Sequence, residues 1–251
     1  MNPAVLAVEG LHKAFGGVDA VIDVSFRVDA GERVALIGPN GAGKTTCFNL
    51  VNGQLTPDAG SIALTGEHIE GLLPREIARR GVGRTFQVAA TFASMTVREN
   101  VQIALIARDD RQGAITSRAS DLMRLEADAL LDRVRMTRFA DRGCSTLAYG
   151  DAKRVELALA LARRPRLLLM DEPTAGMSPR SRGRLMELIS ALAHEQNIAV
   201  LFTEHDMDVV FGYADRVIVL DRGAIIAEGP PEAIRADARV QAVYLGEDTS
   251  V

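Results

Sequence analysis

A glycine-rich segment between an apolar strand and a helix places the strongest limit on the fold. The segment GPNGAGKT, Gly38 to Thr45, follows the apolar run RVALI and precedes KTTCFNLV, whose pattern indicates a helix that ends near Gly53. Its spacing fits G-x-x-x-x-G-K-[ST], in which glycines let backbone N–H groups point at phosphate oxygens and the helix N-terminus adds partial positive charge. In this motif Lys44 reaches the β- and γ-phosphates and the Thr45 hydroxyl ligates Mg²⁺. The segment predicts a nucleoside triphosphate site rather than a plain strand–helix turn.

The remaining strand and helix patterns predict the fold class. The N-terminal stretches VLAVEGLHKAF and VIDVSFRVDAGE alternate in polarity as strands do. Later, the apolar runs RLLLMD, IAVLFTE and RVIVLDRG are separated by the helical patterns PRSRGRLMELISALAHE and MDVVFGYA, which is typical of βαβ units with a parallel sheet. We therefore predict an α/β fold with a P-loop NTPase core: a mostly parallel sheet with flanking helices, an N-terminal antiparallel β region and a helical insertion. The tail GPPEAIRADARVQAVYLGED has a helical pattern.

The insertion divides the predicted domain. TVRENVQIALIARDD and SDLMRLEADALLDRVRM are helical in period and are joined by polar turns. We expect residues 1–251 to form a single nucleotide-binding domain, with residues 1–87 and 151–251 as the α/β core with its antiparallel β subdomain. Residues 88–150 then form a helical subdomain.

Two acids follow the strand LLLM. Ligands of open α/β sheets bind beyond the carboxyl ends of the strands, where Asp171 and Glu172 are expected. Asp171 suits a role toward Mg²⁺, and Glu172 is suited to orient and polarise an attacking water. The alternative is that these acids cap the following helix.

His205 and Gln87 also end strand-like runs. His205 in AVLFTEHD lies at the same expected rim, where a contact to γ-phosphate is reasonable, although a lone histidine at a strand end is commonly structural. Gln87 closes the short strand in GRTFQ and carries little information by itself.

The turn LAYGD, Leu147 to Asp151, opens an apolar helix. Gly150 permits close backbone approach, and the free N–H groups of the helix start favour an anion. Because the helical insertion separates this turn from the phosphate loop, we hypothesise that it closes on the ATP of a second chain in a two-fold dimer. A plain turn is the alternative.

Composition limits the partners and the location. The net charge of −4 gives no reason to expect a nucleic-acid partner. Cys47 and Cys144 belong to no cysteine pair or metal motif, and the N-terminus lacks a signal peptide, which together indicate a reducing cytosol. No apolar run approaches the roughly 20 residues that span a bilayer. We therefore expect any membrane role to come through a partner.

Taken in order, the motifs GPNGAGKTT, Gln87, LAYGDAKRVELALALARRP, LLLMDEPTAG and TEHDM resemble the ATP-binding subunits of ABC transporters over essentially the whole chain. Within that family, FGGVDAV, GVGRTFQ, MTVRENV, AGMSP and AVYLGED are most similar to the branched-chain amino-acid importer component. Systems for related amino acids, amides or urea and the lipopolysaccharide-export ATPase are also similar.

The resemblance implies a role for individual residues. Phe15 resembles the aromatic side chain that stacks on adenine, and Gln87 the residue that touches Mg²⁺ and the water and senses the membrane partner. Asp171, Glu172 and His205 resemble the Mg²⁺-binding aspartate, the catalytic glutamate and the switch histidine. The phosphate contacts of the family fall on Gly38, Pro39, Asn40, Gly41, Ala42, Gly43, Lys44, Thr45 and Thr46, and the signature motif that serves the partner's ATP falls on Leu147, Ala148, Tyr149, Gly150 and Asp151.

The chain departs from the family pattern at two positions. Ala148 replaces the usual signature serine, so its hydroxyl contact to γ-phosphate is missing, as in the branched-chain subfamily. The segment Ala175-Gly176-Met177-Ser178, which follows DEPT, lacks the terminal aspartate through which the family makes a contact across the dimer.

The resemblance implies an ATPase, with ATP and Mg²⁺, that powers import of branched-chain or related amino acids. Its partners would be two transmembrane permease subunits that dock near AATFASMTVREN, a second ATP-binding subunit of the same or a sister kind and, indirectly, a solute-binding protein. The expected location is cytoplasmic and peripheral on the inner membrane.

The alternatives to amino-acid import are urea or amide import and lipid export. A small-substrate P-loop kinase would not need LAYGD, and a nucleic-acid-linked ABC ATPase would need coiled-coil arms or tandem halves that this chain lacks.

Overall fold

The computed structural model describes residues 4–85, 91–108 and 117–245. Its strands are β1 (Ala4–Phe15), β2 (Val18–Asp29), β3 (Arg33–Ile37), β4 (Ala59–Leu64), β5 (Glu67–His68), β6 (Val82–Thr85), β7 (Leu167–Asp171), β8 (Ala199–Thr203), β9 (Arg216–Asp221) and β10 (Ala224–Gly229). Its α-helices are α1 (Lys44–Val51), α2 (Pro74–Arg79), α3 (Val97–Arg108), α4 (Ser117–Arg133), α5 (Tyr149–Leu161), α6 (Pro179–Gln196), α7 (Met207–Tyr213), α8 (Pro231–Ala236) and α9 (Ala238–Leu245). Gln87 lies outside the described residues.

The central sheet sets the position of the site. Its six strands lie in the order β10-β9-β3-β8-β7-β6, and every neighbouring pair is parallel except β9 and β10. The carboxyl ends of β3, β6, β7 and β8 therefore meet at one edge of the sheet, which is where ligands of such sheets bind. The predicted α/β fold with a mostly parallel sheet is confirmed.

Both faces of this sheet are covered by other elements. Side chains alternate between the two faces along each strand, so each strand contributes to two cores. On β3, Val34 and Leu36 pack into a core shared with α1 and the antiparallel sheet, whereas Ala35 and Ile37 pack into a second core formed with the helices of the opposite face. This explains why the central strands are almost entirely apolar.

The N-terminal strands form the separate antiparallel sheet, in the order β2-β1-β4-β5. Strand β1 pairs with β2 along nearly its whole length, and Phe15 at its end faces Val18. The turn between them is Gly16-Gly17, whose positive φ angles of 55° and 85° suit glycine.

Helices α3 and α4 fall within the predicted insertion. Asn100 on α3 is buried and holds the segment before the helix, since its Oδ1 accepts a hydrogen bond from the Phe92 amide at 2.7 Å. A single antiparallel bridge joins Thr96 to Gly143. Within the described residues, no helix combines the length and hydrophobicity that crossing a bilayer requires.

Strand β10 is the element that the sequence patterns missed. It pairs antiparallel with β9 through a turn in which Arg222 and Gly223 both have positive φ. Such a turn favours Asn-Gly or Asp-Gly, and arginine at the first position hides the signal. The tail beyond β10 is helical as predicted, in α8 and α9.

Candidate active site

The phosphate loop is held in its curled form by the side chain that it surrounds. The Lys44 ammonium donates hydrogen bonds to the carbonyl oxygens of Gly38 at 2.5 Å and of Pro39 at 2.8 Å. Gly43 has φ of 103°, and a Cβ there would lie 2.4 Å from the Ala20 carbonyl oxygen. The loop therefore requires glycine at this position both for its backbone angle and for its contact with the strand beside it.

The loop lines an open cavity of about 200 Å³ at the carboxyl edge of the sheet. The lining brings together predicted residues from three parts of the chain: Asn40, Gly41, Ala42, Gly43, Lys44, Thr45, Thr46, Glu172 and His205. Ala20 on β2, which the sequence did not indicate, also lines it. Within the described residues, no side chain caps the start of α1 and no acidic residue lies in its first turn. The first amides of a helix have no partner inside the helix, so they face the cavity as donors beside the Lys44 cation. This donor set fits a polyphosphate, and the exposed Thr45 hydroxyl adds an oxygen ligand suited to Mg²⁺.

Asp171 ends β7 at the same edge. Its Oδ1 accepts a hydrogen bond of 2.7 Å from the Thr203 hydroxyl on the neighbouring strand β8. Its Oδ2 lies 3.8 Å from Nη2 of Arg84 on β6. The carboxylate is therefore oriented from both sides, and its side chain is only 15% exposed.

Glu172 and His205 form a contact next to the phosphate loop. Nε2 of the histidine lies 2.9 Å from Oε1 of Glu172. Glu172 has φ of 47°, a left-handed conformation that non-glycine residues adopt at a cost of roughly 1–3 kcal/mol. Its amide donates to the carbonyl oxygen and to Oγ1 of Thr203, both at 3.1 Å, and these bonds hold the conformation.

Sequence reasoning missed two polar residues of this site: Arg84 and Thr203. Arg84 donates to Asn49 Oδ1 and Gln54 Oε1, each at 3.0 Å; burial lowers its pKa, and the nearby Asp171 opposes that effect. The sequence could have indicated them only by their position, because each ends or nearly ends a strand at the sheet edge where the site lies.

The signature-like turn lies elsewhere on the surface. Ala148 is the N-cap of α5, so Tyr149, Gly150 and Asp151 form its first turn, and no side chain of the described residues caps it. A Cβ at Gly150 would lie 3.2 Å from Cε of Met177. The lining of the phosphate-loop cavity, as far as the described residues go, does not include residues 147–151.

Phe15 lies at the end of β1 with 47% of its surface exposed, an unusual degree for a large aromatic ring. Lys13 Nζ lies 5.6 Å from the ring centroid.

Two family profiles match the chain. The family described as "ABC transporter" matches residues 21–175, and "Branched-chain amino acid ATP-binding cassette transporter" matches residues 224–249.

Curated relatives match almost end to end. The high-affinity branched-chain amino acid transport ATP-binding protein BraF of Pseudomonas aeruginosa is 42% identical over 98% of this chain and 100% of its own length. LivG of Escherichia coli, which carries the same description, is 41% identical with the same coverage. The lipopolysaccharide export system ATP-binding protein LptB of Haemophilus influenzae is 37% identical over 97% of this chain and 98% of its own.

Solved structures of ABC transporter cassettes resemble this chain over most of its length. The ADP conformation of MJ1267, an ATP-binding cassette of an ABC transporter, superimposes with a TM-score of 0.85 at 30% identity, covering 97% of this chain and 99% of that one. The dimeric cassette MJ0796 gives 0.76 at 26% identity, covering 90% and 98%. With the phosphate loop, the two acids and the histidine gathered at one sheet edge, these matches show that the chain belongs to the ABC transporter family as one of its ATP-hydrolysing cassettes.

Proposed function

We propose that this chain energises import of branched-chain or related amino acids as the ATPase subunit of an ABC importer. The observation that carries the choice of solute is the match of residues 224–249 to the branched-chain profile, beyond the part common to all cassettes. The end-to-end similarity to BraF and LivG supports it. Lipid export is the second candidate, because LptB is 37% identical over nearly the same length.

We propose that ATP binds along the cavity edge. Phe15 offers an exposed ring for the adenine base, and residues 38–46 wrap the phosphates with backbone amides and the Lys44 ammonium. Thr45, Asp171 and Gln87 would hold Mg²⁺, which when bound would neutralise charge on the phosphates.

Hydrolysis in this proposal depends on the contact between Glu172 and His205. Glu172 orients and polarises the attacking water, and the 2.9 Å contact keeps its carboxylate beside the cavity. His205, 53% exposed at the rim, is free to turn toward the γ-phosphate when nucleotide binds. Lys44 stabilises the charge of the transferring phosphoryl group.

We propose that Leu147–Asp151 complete the ATP site of a second cassette, either a copy of this chain or a sister subunit. The amides at the start of α5 supply the anion contact, and Ala148 leaves that contact to the backbone alone. Dimeric MJ0796 is a relative with two such cassettes.

A groove between α2, β6 and α5 suits the permease partners that ABC cassettes serve. It has a volume of about 380 Å³ and includes the apolar side chains of Ile77 and Leu159, with Arg75 and Arg163 also in its lining. Strand β6 borders the groove and ends at Thr85, and Phe92, seven residues later in the chain, is 57% exposed. We propose that permease segments with an apolar and acidic surface bind here, on the cytoplasmic face of the membrane. Ala89 and Ala90 of the predicted contact segment AATFASMTVREN lie outside the described residues.

Co-purification from membranes tests the proposal. The complex, reconstituted in vesicles with its binding protein, should hydrolyse ATP faster when leucine, isoleucine or valine is added outside. Stimulation by urea or an amide alone, or co-purification with lipid-export components, would overturn the choice of solute while leaving the ATPase assignment intact.

A further inference from the structure

Glu204 is a buried acid with no part in the mechanism above. It follows β8, is 4% exposed, and its Oε1 accepts two hydrogen bonds from Thr174: from the amide at 2.8 Å and from the hydroxyl at 2.7 Å. Thr174 is itself 2% exposed. Burial raises the pKa of Glu204, and the hydrogen bonds from Thr174 oppose that rise. A buried carboxylate with two donors from one residue fixes the two loops against each other.

Each residue of this pair lies close in the chain to one member of the contact between Glu172 and His205. Glu204 directly precedes His205, and Thr174 follows Glu172 by two positions. Since His205 and Glu172 touch at 2.9 Å, the two loops that the buried pair joins are also the two loops that carry this contact.

From Thr174 the chain continues as the linker segment, residues 174–178, which ends against the signature-like turn. The Thr174 carbonyl accepts a hydrogen bond from the Met177 amide at 3.1 Å, so the segment is a compact turn. A Cβ at Gly176 would lie 3.8 Å from Cε1 of Tyr149, and one at Gly150 would lie 3.2 Å from Cε of Met177. The linker segment is thus packed against the first turn of α5.

We propose that Glu204 is a positioning residue that couples the two half-sites carried by one chain. Its bonds to Thr174 tie the loop of His205 to the linker segment, so that the state of the chain's own ATP site changes the placement of the turn at Tyr149 and Gly150. This rests on the proposed function, in which that turn serves the ATP of a second cassette. The consequence is that ATP binding or hydrolysis at one site of the dimer alters the other.

Isosteric substitution of Thr174 tests this coupling. Thr174→Val removes the hydroxyl donor while keeping shape, and Thr174→Ser is the matched control that keeps the donor. Glu204→Ala removes the acceptor of both bonds, with the exposed Glu195→Ala as its control. ATP hydrolysis by the complete transporter is measured against ATP concentration, together with ATP-dependent dimer formation.

We expect the wild type, Thr174→Ser and Glu195→Ala to hydrolyse ATP with a Hill coefficient above 1. Thr174→Val and Glu204→Ala should move it to about 1, while ATP still binds and dimers still form. Unchanged cooperativity in a folded Thr174→Val protein overturns the coupling role and leaves the proposed function standing. Absence of ATP-dependent dimers in the wild type would instead overturn the proposed function, and the coupling with it. If Glu204→Ala does not fold, the threonine pair decides alone.

Discussion

Replacing Thr203 by valine removes a hydroxyl that makes two hydrogen bonds in the site, one from the Glu172 amide and one to Asp171. Valine has the shape of threonine, and position 203 is 2% exposed, so the change opens no cavity and removes only the hydroxyl. The amide of Glu172 keeps its second acceptor, the Thr203 carbonyl oxygen at 3.1 Å. The larger loss is therefore the 2.7 Å hydrogen bond to the charged Asp171 Oδ1.

A hydrogen bond to a charged group contributes about 1.5–3 kcal/mol, which corresponds to a factor of roughly 10–150 in an equilibrium or rate constant. We expect Thr203→Val to lose free energy of unfolding in this range in urea titrations. Because Asp171 would also lose its orientation toward Mg²⁺, we expect the Mg²⁺ concentration for half-maximal ATP hydrolysis to rise.

The matched control is Thr203→Ser, which keeps the hydroxyl and should retain most of both properties. Equal Mg²⁺ dependence in the valine and serine variants would refute the argument that Thr203 orients Asp171. Equal stability of the two would show that the hydroxyl does not matter in the folded chain.

Three further expectations concern the phosphate loop and the helix behind it. Lys44→Ala should lower ATP turnover by at least about a hundredfold, because the cation that offsets phosphate charge is lost; turnover near the wild-type rate would contradict the site assignment. Gly43→Ala should abolish nucleotide binding measured by calorimetry, since its Cβ would lie 2.4 Å from a carbonyl oxygen, whereas Gly66→Ala, also at positive φ but in open space, should bind normally. Burial raises the pKa of the Cys47 thiol to about 12; at pH 8 the thiol is neutral, so Ellman's reagent should label it far more slowly in the native than in the unfolded protein, and immediate native labelling would show that α1 opens readily.

The sequence was sufficient for the fold class because its signals are local. The apolar runs that became β3, β7, β8 and β9 have the length and composition of strands buried on both faces, and the glycine spacing of the phosphate loop follows from backbone geometry. The grouping of Glu172 and His205 at one cavity also followed from a general rule, that parallel strands end at the same edge.

The interactions that position the site could not be predicted, because they join strands whose order the sequence does not specify. Thr203 bonds to Asp171 only because β8 lies beside β7, and Arg84 reaches the same carboxylate only because β6 is the next strand. The pairing of Glu204 with Thr174 likewise depends on two loops that are 30 residues apart along the chain. Phe15 had no signal from its pattern, since an aromatic residue at a strand end is usually part of a core.

In the function proposed above, Leu147–Asp151 of one cassette complete the ATP site of another. The mass of the Glu172→Gln protein, purified with a tag from cells that express its whole transporter and kept in ATP and Mg²⁺, tests this arrangement. We expect a particle that holds two cassettes, either two copies or this chain with a sister subunit. Adding Gly150→Asp should abolish that particle while the monomer still binds ATP. A Glu172→Gln chain that binds ATP and remains a single cassette would show that Leu147–Asp151 do not complete a second ATP site.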